Sequence, residues 1–560
     1  MSKFEKEIWA YALKNAEEFG QAHEGKVLTK LFQHGLEKSE IGKVMPEVIK
    51  IVKEVNSKSH SWREKELEKY QEYLIVRAEV EKDLAVLPGI SDKMVFRLAP
   101  FPSGALHLGN AKTYLLNALY AEKYNAKTLL VMDDTIGSEE KPIVKESYEL
   151  IESGLQWLNI KYNDVIYKSD RLSLYYKYAE ELIEKDKAYV CSCSQAGFKK
   201  LKDSEKECVH RKQTKELNKQ LWKDMFKAEE GKMVLRIKTG MNHKNPAFRD
   251  RVLFKISDRE HARIGKKHRV WPTLEMSWAV DDHELGVTHI IRGNDLMMET
   301  EMEKFIWNIF GWKNPEVIHT GLIHIELEGV KLSKSKAQKE VKSGEFSGWD
   351  DPRTWSIQSL KRRGIRAEAI REFVEEIGLN RQDITIPIEA LYAVNRKLVD
   401  EESDRYFFVE KPVEIKLLNK PEYDEVEIPI HPDKKEKRSM KVGEIFISEH
   451  DFKAHKNKEV RLLHLYNIKL GGNGKKIIYT SIDNKKTISK IQWVSEYVKA
   501  KILMPNGAWK EGYADIGIKK LKEDDFIQFE RFGFCRFDGK NTEKKGKKKE
   551  EVYEFWFAHK

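Results

Sequence analysis

Three short stretches carry residue types that could do chemistry. Residues 98–112 read LAPFPSGALHLGNAK, between a strand-like run, MVFRLA, and a helix-like run, TYLLNALYAEKY. The start of such a helix offers unpaired N–H groups and a positive dipole end, which attract phosphate. Gly104 and Gly109 would let a ligand approach the backbone closely, and Pro100 and Pro102 stiffen the turn. His107 can donate a hydrogen bond to a phosphoryl oxygen whose charge grows in a transition state. A tight turn with a surface histidine would read the same way. Residues 328–341, EGVKLSKSKAQKEV, place Lys331, Ser333, Lys334, Ser335 and Lys336 in a polar stretch after strand-like GLIHI. Lysines on a loop there can close on a triphosphate and neutralise charge as pyrophosphate leaves; an ordinary lysine-rich loop is the alternative. The third stretch pairs Cys191-x-Cys193 with Cys208-x-His210 across a 14-residue gap. Four soft or borderline ligands in two close pairs suit tetrahedral zinc, although C-x-C is tighter than the common C-x₂-C. The other reading is reduced cysteines beside a surface histidine.

These stretches need elements to position them. Residues 1–88 carry apolar residues at helical spacing and read as a helical domain, closed by the Pro-Gly of VLPGISDK. From 89 to 340 strand-like and helical runs alternate as β-α-β, which implies a parallel sheet of Rossmann-like type. GVTHIIRG and PEVIHTGLIHI read as its continuation. The busier part at about 170–270, which holds the cysteine cluster, reads as an inserted subdomain. Residues 341–395 read as a helical connector. Residues 396–560 are short β-like runs between Gly, Asn, Asp and Lys turns, most simply one or two barrels. The charged NTEKKGKKKEE reads as a solvated hairpin loop, with phosphate contact as the alternative. The whole is a multidomain α/β chain.

Lys and Arg outnumber Asp and Glu by 101 to 91, a net charge of +10 over 560 residues. That modest excess is compatible with an RNA partner met through local basic patches. The N-terminal MSKFEKEIWAYALKN lacks the basic-then-apolar order of an export signal. No run approaches the ~18 apolar residues of a membrane span. A cytoplasmic location without a membrane partner is expected.

Together, P-x-P-S-G-x-x-H-x-G-N and K-L-S-K-S in one α/β domain resemble the two signatures of class I aminoacyl-tRNA synthetases, usually His-Ile-Gly-His and Lys-Met-Ser-Lys-Ser. SDRLSLYYKYAEELIEKDKAYVC, AVDDHELGVTHIIRGND, SGEFSGWDDPRTWSIQSLKRRGIRAEAI, NRKLVDEESDRYFFVEKPVEI and FIQFERFGFCRFD look like the glutamyl/glutaminyl branch. With its helical extension and β-rich C-terminal half, the chain most resembles the archaeal-type glutamyl-tRNA synthetases, well over 90–560 and more loosely over 1–89.

The resemblance implies ATP-dependent activation of glutamate and its transfer to the 3′ end of tRNA(Glu), and possibly of tRNA(Gln). It implies ATP and glutamate as substrates, Mg²⁺ on the triphosphate, a monomer, an acceptor-end-binding insert and a β-barrel anticodon-binding region. By position, His107 and Lys334 would stabilise the pentacovalent phosphate, and Lys331 would support the closing loop. Pro100, Gly104, Gly109, Asn110, Asp295 and Ser333 would lie at the nucleotide. Arg97 and Arg292 would hold the amino acid and Asp133 its amine. Zinc at Cys191, Cys193, Cys208 and His210 would be structural. The chain departs from the pattern at Asn110, in place of the second signature histidine, and at VMDDT, which lacks the usual arginine and glutamate. Phe101 and Leu274 also differ, Leu274 standing where many relatives carry a substrate-binding tyrosine. A glutaminyl enzyme and a non-catalytic tRNA-binding paralogue stay open beside the glutamate enzyme.

Overall fold

Apolar residues recur at three- and four-residue spacing through the first part of the chain, and there it folds as helices: α1 (Glu5–Phe19), α2 (Glu24–Leu31), α3 (Ile41–Ser57) and α4 (His60–Tyr70). Val44, Val48, Ile51, Val52 and Val55 form the buried stripe of α3 and meet Ile8 and Leu13 of α1 in one core. The computed structural model describes residues 3–19, 21–74, 84–136, 141–326, 334–419, 421, 424–471, 477–484, 487–545 and 548–560. The helical unit closes at Asp83, short of 88. Leu84 and Leu87 are buried in the core of the second unit, where the Leu87 N–H donates to the Tyr124 hydroxyl at 3.1 Å.

The second unit is built on β1 (Val95–Leu98), β2 (Lys127–Met132), β3 (Asp164–Tyr167), β8 (His289–Gly293) and β9 (Glu316–Thr320). They pair in parallel in the order β3-β2-β1-β8-β9. The strand order reverses between β1 and β8, and the crevice at their carboxyl ends is where such sheets bind ligands. Helix α5 (Leu108–Lys123) follows β1. Its buried Asn117 amide donates to the Ile291 carbonyl at 2.9 Å and accepts from the Ile291 N–H at 3.3 Å, fixing the helix to β8. Helix α6 (Glu146–Trp157) precedes β3.

The insert holds α7 (Leu172–Glu184), β4 (Ala188–Cys191), α8 (Gln195–Asp203), α9 (Lys215–Met225), β5 (Val234–Ile237), β6 (Val252–Ile256) and β7 (Val270–Pro272). The four strands form an antiparallel sheet in chain order. Leu182, Leu235 and Phe254 share one core with Leu129 and Val131 of β2, so the insert is fused to the main sheet. Helices α10 (Leu274–Glu284) and α11 (Met297–Phe310) flank β8.

The structure corrects one reading. PEVIHTGLIHI is not one strand of the parallel sheet, because the chain leaves it at Gly321. β10 (Ile323–Glu326) pairs instead, in parallel, with β11 (Ile384–Pro387). A Cβ on Gly321 would lie 1.9 Å from the Gln382 carbonyl oxygen, so only glycine permits this crossing. The connector therefore contains a strand beside α12 (Lys334–Ser343), α13 (Ile357–Arg362), α14 (Ala367–Ile377) and α15 (Glu389–Val399).

The C-terminal region has a seven-stranded and a five-stranded sheet, each over its own core. The last strand, Lys548–His559, is tied to α13. The fully buried Arg363 donates to the Phe557 and Ala558 carbonyls at 3.1 and 2.6 Å. Residues 546 and 547 of the charged NTEKKGKKKEE run lie outside the described residues.

Candidate active site

His107 is the N-cap of α5. It is extended, with φ −113° and ψ 166°, and its Nδ1 accepts from the Asn110 N–H at 3.4 Å. With Nδ1 accepting, the proton of the neutral ring sits on Nε2, as a donor. The cap thus favours the tautomer whose Nε2–H can donate toward the cleft.

A segment quoted above only as a family marker, SGEFSGWDDPRTWS, roofs this turn. Ser356 pairs with His107 in an antiparallel bridge, and the Ile357 N–H donates to the Leu106 carbonyl at 2.8 Å. The Ser356 and Thr354 hydroxyls donate to the Trp349 carbonyl at 2.5 and 2.9 Å. The Trp349 ring lies over Gly104, whose Cβ, were it present, would sit 2.3 Å from the ring. Gly104, at φ +147°, makes room for the Trp349 ring. Pro100 lies before the same turn. It is buried, and its carbonyl accepts from the Asp133 N–H at 3.0 Å. Neither is among the described residues lining the cleft.

The cleft occupies about 1040 Å³ at the carboxyl ends of β1, β2 and β8. Its walls bring together His107, Gly109, Asn110, Asp295, Arg97, Asp133 and Arg292, with Phe101 and Leu274 beside them. Lys331 and Ser333 lie outside the described residues, as does the side chain of Lys334, whose backbone opens α12. Gln338, one turn beyond Lys334 on the same helix, lines the cleft.

Arg97 is a two-point ion pair with Asp282, at 2.5 and 3.1 Å. Arg292 pairs in the same way with Glu303 and leaves its buried Nε without a described partner. Lys168 stands 2.8 Å from Asp133, and Arg171 2.7 Å from Asp281. Arg97 and Lys168 lie 3.5 and 3.3 Å from the centre of the Trp278 ring, a strong cation–π arrangement in so dry a place. Burial draws the Lys168 ammonium down from its ordinary range, against the pull of Asp133 and Asp281. Burial likewise pushes the Asp281 carboxyl up against Lys168 and Arg171. The expected amino-acid arginines are thus clamped by acids while still facing the cleft. Sequence reading missed Trp278 and Lys168; a tryptophan directly before AVDD and a lysine directly before SDRL gave no spacing signal.

In the insert, the Cys191, Cys193 and Cys208 sulfurs and His210 Nδ1 gather within 4.8 Å of one another. Cys208 Sγ stands 3.7 Å from Cys191 Sγ and 3.4 Å from Cys193 Sγ. Thiolates at ~2.3 Å around a tetrahedral ion stand about 3.7 Å apart, so the donor set and its spacing fit zinc. Ser192 Oγ lies 2.9 Å from His210 Nε2 and orients the ring from behind.

Comparison with known proteins agrees with this geometry. A family described as the catalytic domain of class I tRNA synthetases (E and Q) matches residues 93–401. Two anti-codon binding domains of the same group match 403–483 and 490–538. The Glutamate--tRNA ligase of Pyrococcus furiosus is 40% identical over 560 residues, covering 95% of this chain and 97% of its own length. That of Methanocaldococcus jannaschii is 38% identical over 552 residues, 96% and 98% of the two chains. That of Methanobrevibacter smithii is 36% identical and covers both chains fully.

Proposed function

The chain belongs to the class I tRNA synthetases of the E and Q type, and from that premise we propose the roles by which its residues make it a glutamate–tRNA ligase. The observation that carries the assignment is the His107 turn and the helix opened by Lys334 meeting at one cleft, at the switch point of a parallel sheet. ATP enters with Mg²⁺ as part of the substrate. A glutamate carboxylate oxygen attacks the α-phosphorus, the new O–P bond forms, and pyrophosphate leaves. A 3′-terminal ribose hydroxyl of the tRNA then attacks the adenylate carbonyl and AMP departs. The protein needs no nucleophile of its own; it positions the groups and stabilises charge.

His107 Nε2 and Lys334 stabilise the pentacovalent phosphate, and Lys331 supports the loop that closes on it. Gly109, Asn110 and Ser333 lie beside the nucleotide, and Asp295 lies near the ribose. Arg97 and Arg292 meet the substrate carboxylates and Asp133 its ammonium. The acid clamps on both arginines fix their guanidinium planes before substrate arrives. Lys202, Arg236 and Lys255 bring positive charge from the insert to the cleft wall, where phosphates of the tRNA end pass. The enzyme works as a cytoplasmic monomer on tRNA(Glu).

Charging total tRNA with labelled glutamate or glutamine, with ATP and Mg²⁺, tests the assignment. Glutamate is the expected substrate. Preferential glutamine charging would make this a glutaminyl enzyme, and bound but uncharged tRNA would make it a scaffold.

Zinc at Cys191, Cys193, Cys208 and His210 holds β4 to the segment after α8. Metal analysis after native purification is expected to find about one zinc per chain. Chelation is expected to loosen the insert, read by proteolysis between 191 and 210, before the parallel sheet unfolds. A metal-free chain with a protected insert would remove the zinc.

A further inference from the structure

The mechanism uses the two nucleotide-gripping motifs without saying what holds them in register. Lys112, one turn after the Leu108 that starts α5, is buried, with 2% of its surface exposed. Its ammonium donates to Thr320 Oγ1 at 3.0 Å, the Gly321 carbonyl at 2.7 Å and Asn380 Oδ1 at 2.6 Å. It has no ion pair among the described residues. Burying an unpaired cation is costly, and these three acceptors, one for each N–H, are what offset it. Burial draws the ammonium down to about 8, with Asp383 pulling the other way.

The acceptors share one location. Thr320 and Gly321 form the corner where the chain leaves the parallel sheet for β10, the strand that runs toward the lysine motif. Asn380 lies just before β11, which pairs with β10. Its carbonyl accepts from the Gly321 N–H at 2.6 Å, and Asp383 Oδ1 accepts from the Leu322 N–H at 2.8 Å. On its other side Lys112 belongs to the helix capped by His107. We propose that Lys112 is a positioning residue for adenylation. It staples the Thr320–Gly321 corner, from which β10 leads toward the lysine motif, to the His107 helix, and so keeps the two motif-bearing elements in register. The inference rests on the assignment of Lys334 to the phosphate.

The test is Lys112→Met, of similar length and apolar, in ATP–pyrophosphate exchange with tRNA and glutamate present. The expected result is a fall in kcat of about tenfold or more with a raised KM for ATP, as for a displaced catalytic group. The KM for glutamate and the affinity for tRNA are expected to stay within about twofold of wild type, since Lys112 touches neither site. In a Lys334→Ala background the loss should shrink below about twofold, because the staple acts through the placement of that lysine. Full exchange by Lys112→Met, or an equal loss in both backgrounds, would overturn the proposal. Thr320→Val removes one acceptor and carries the same readouts should Lys112→Met fail to fold. Full activity of Lys334→Ala alone would overturn the role of that lysine instead, so the two failures are distinguishable.

Discussion

Lys334→Ala is expected to slow glutamyl-adenylate formation by about 10²–10³-fold, the loss found when one fixed donor to a developing charge is removed. The leaving pyrophosphate gathers negative charge in a cleft whose most deeply buried cations are already committed. Arg97 answers Asp282, Arg292 answers Glu303, and Lys168 answers Asp133. None of these can turn to the phosphates without leaving a buried carboxylate uncompensated, which costs about 3–5 kcal/mol. None of these three buried cations can therefore stand in for the lysine motif. tRNA binding should persist, because it draws on the anticodon-binding sheets of the C-terminal region. Single-turnover adenylate formation, measured with tRNA present, reads the rate, and filter binding reads the tRNA. An unchanged rate would refute the role given to Lys334.

The second large effect is expected at a residue that touches no substrate. Gly104→Ala places a methyl group 2.3 Å from the Trp349 ring, at a φ of +147° that side chains rarely adopt. The backbone strain alone is about 1–3 kcal/mol. Trp349 cannot simply move aside, since its carbonyl is held by both Ser356 and Thr354, and Ser356 pairs with His107. The displacement therefore passes to the histidine, and a shift of ~1 Å there costs on the order of 10²-fold in rate. Adding Trp349→Ala to Gly104→Ala should recover part of kcat by making room. Gly25→Ala, where nothing lies within 4 Å, is the control. Normal activity of Gly104→Ala would show that the roof does not set the His107 turn.

The same contact shows what a sequence can and cannot disclose. The parallel sheet is legible because MVFRLA, the helix after it and AKTLLVM alternate in period, and the His107 turn sits where that period changes. The roof is not legible. SGEFSGWDDPRTWS is far along the chain from the turn, and nothing in its composition says that Trp349 needs a glycine opposite. GLIHI alternates as a strand should, yet only the Gly321–Gln382 contact decides which partner it takes. Arg97 and Arg292 are legible as candidate ligands, but their partners are not. Asp282 and Glu303 lie on helices whose spacing marks them as ordinary polar positions, and burial in three dimensions makes them clamps. The cysteine cluster is legible because its four donor side chains are local, in two close pairs.

The most direct test is to mix the purified chain with ATP, Mg²⁺, labelled glutamate and tRNA, and to count glutamyl-tRNA and AMP together. Label is expected on intact tRNA, absent when the 3′-terminal ribose has been oxidised with periodate, with about one AMP for each glutamate transferred. Failure of intact tRNA to take up glutamate, or equal uptake by the oxidised tRNA, would contradict the assignment.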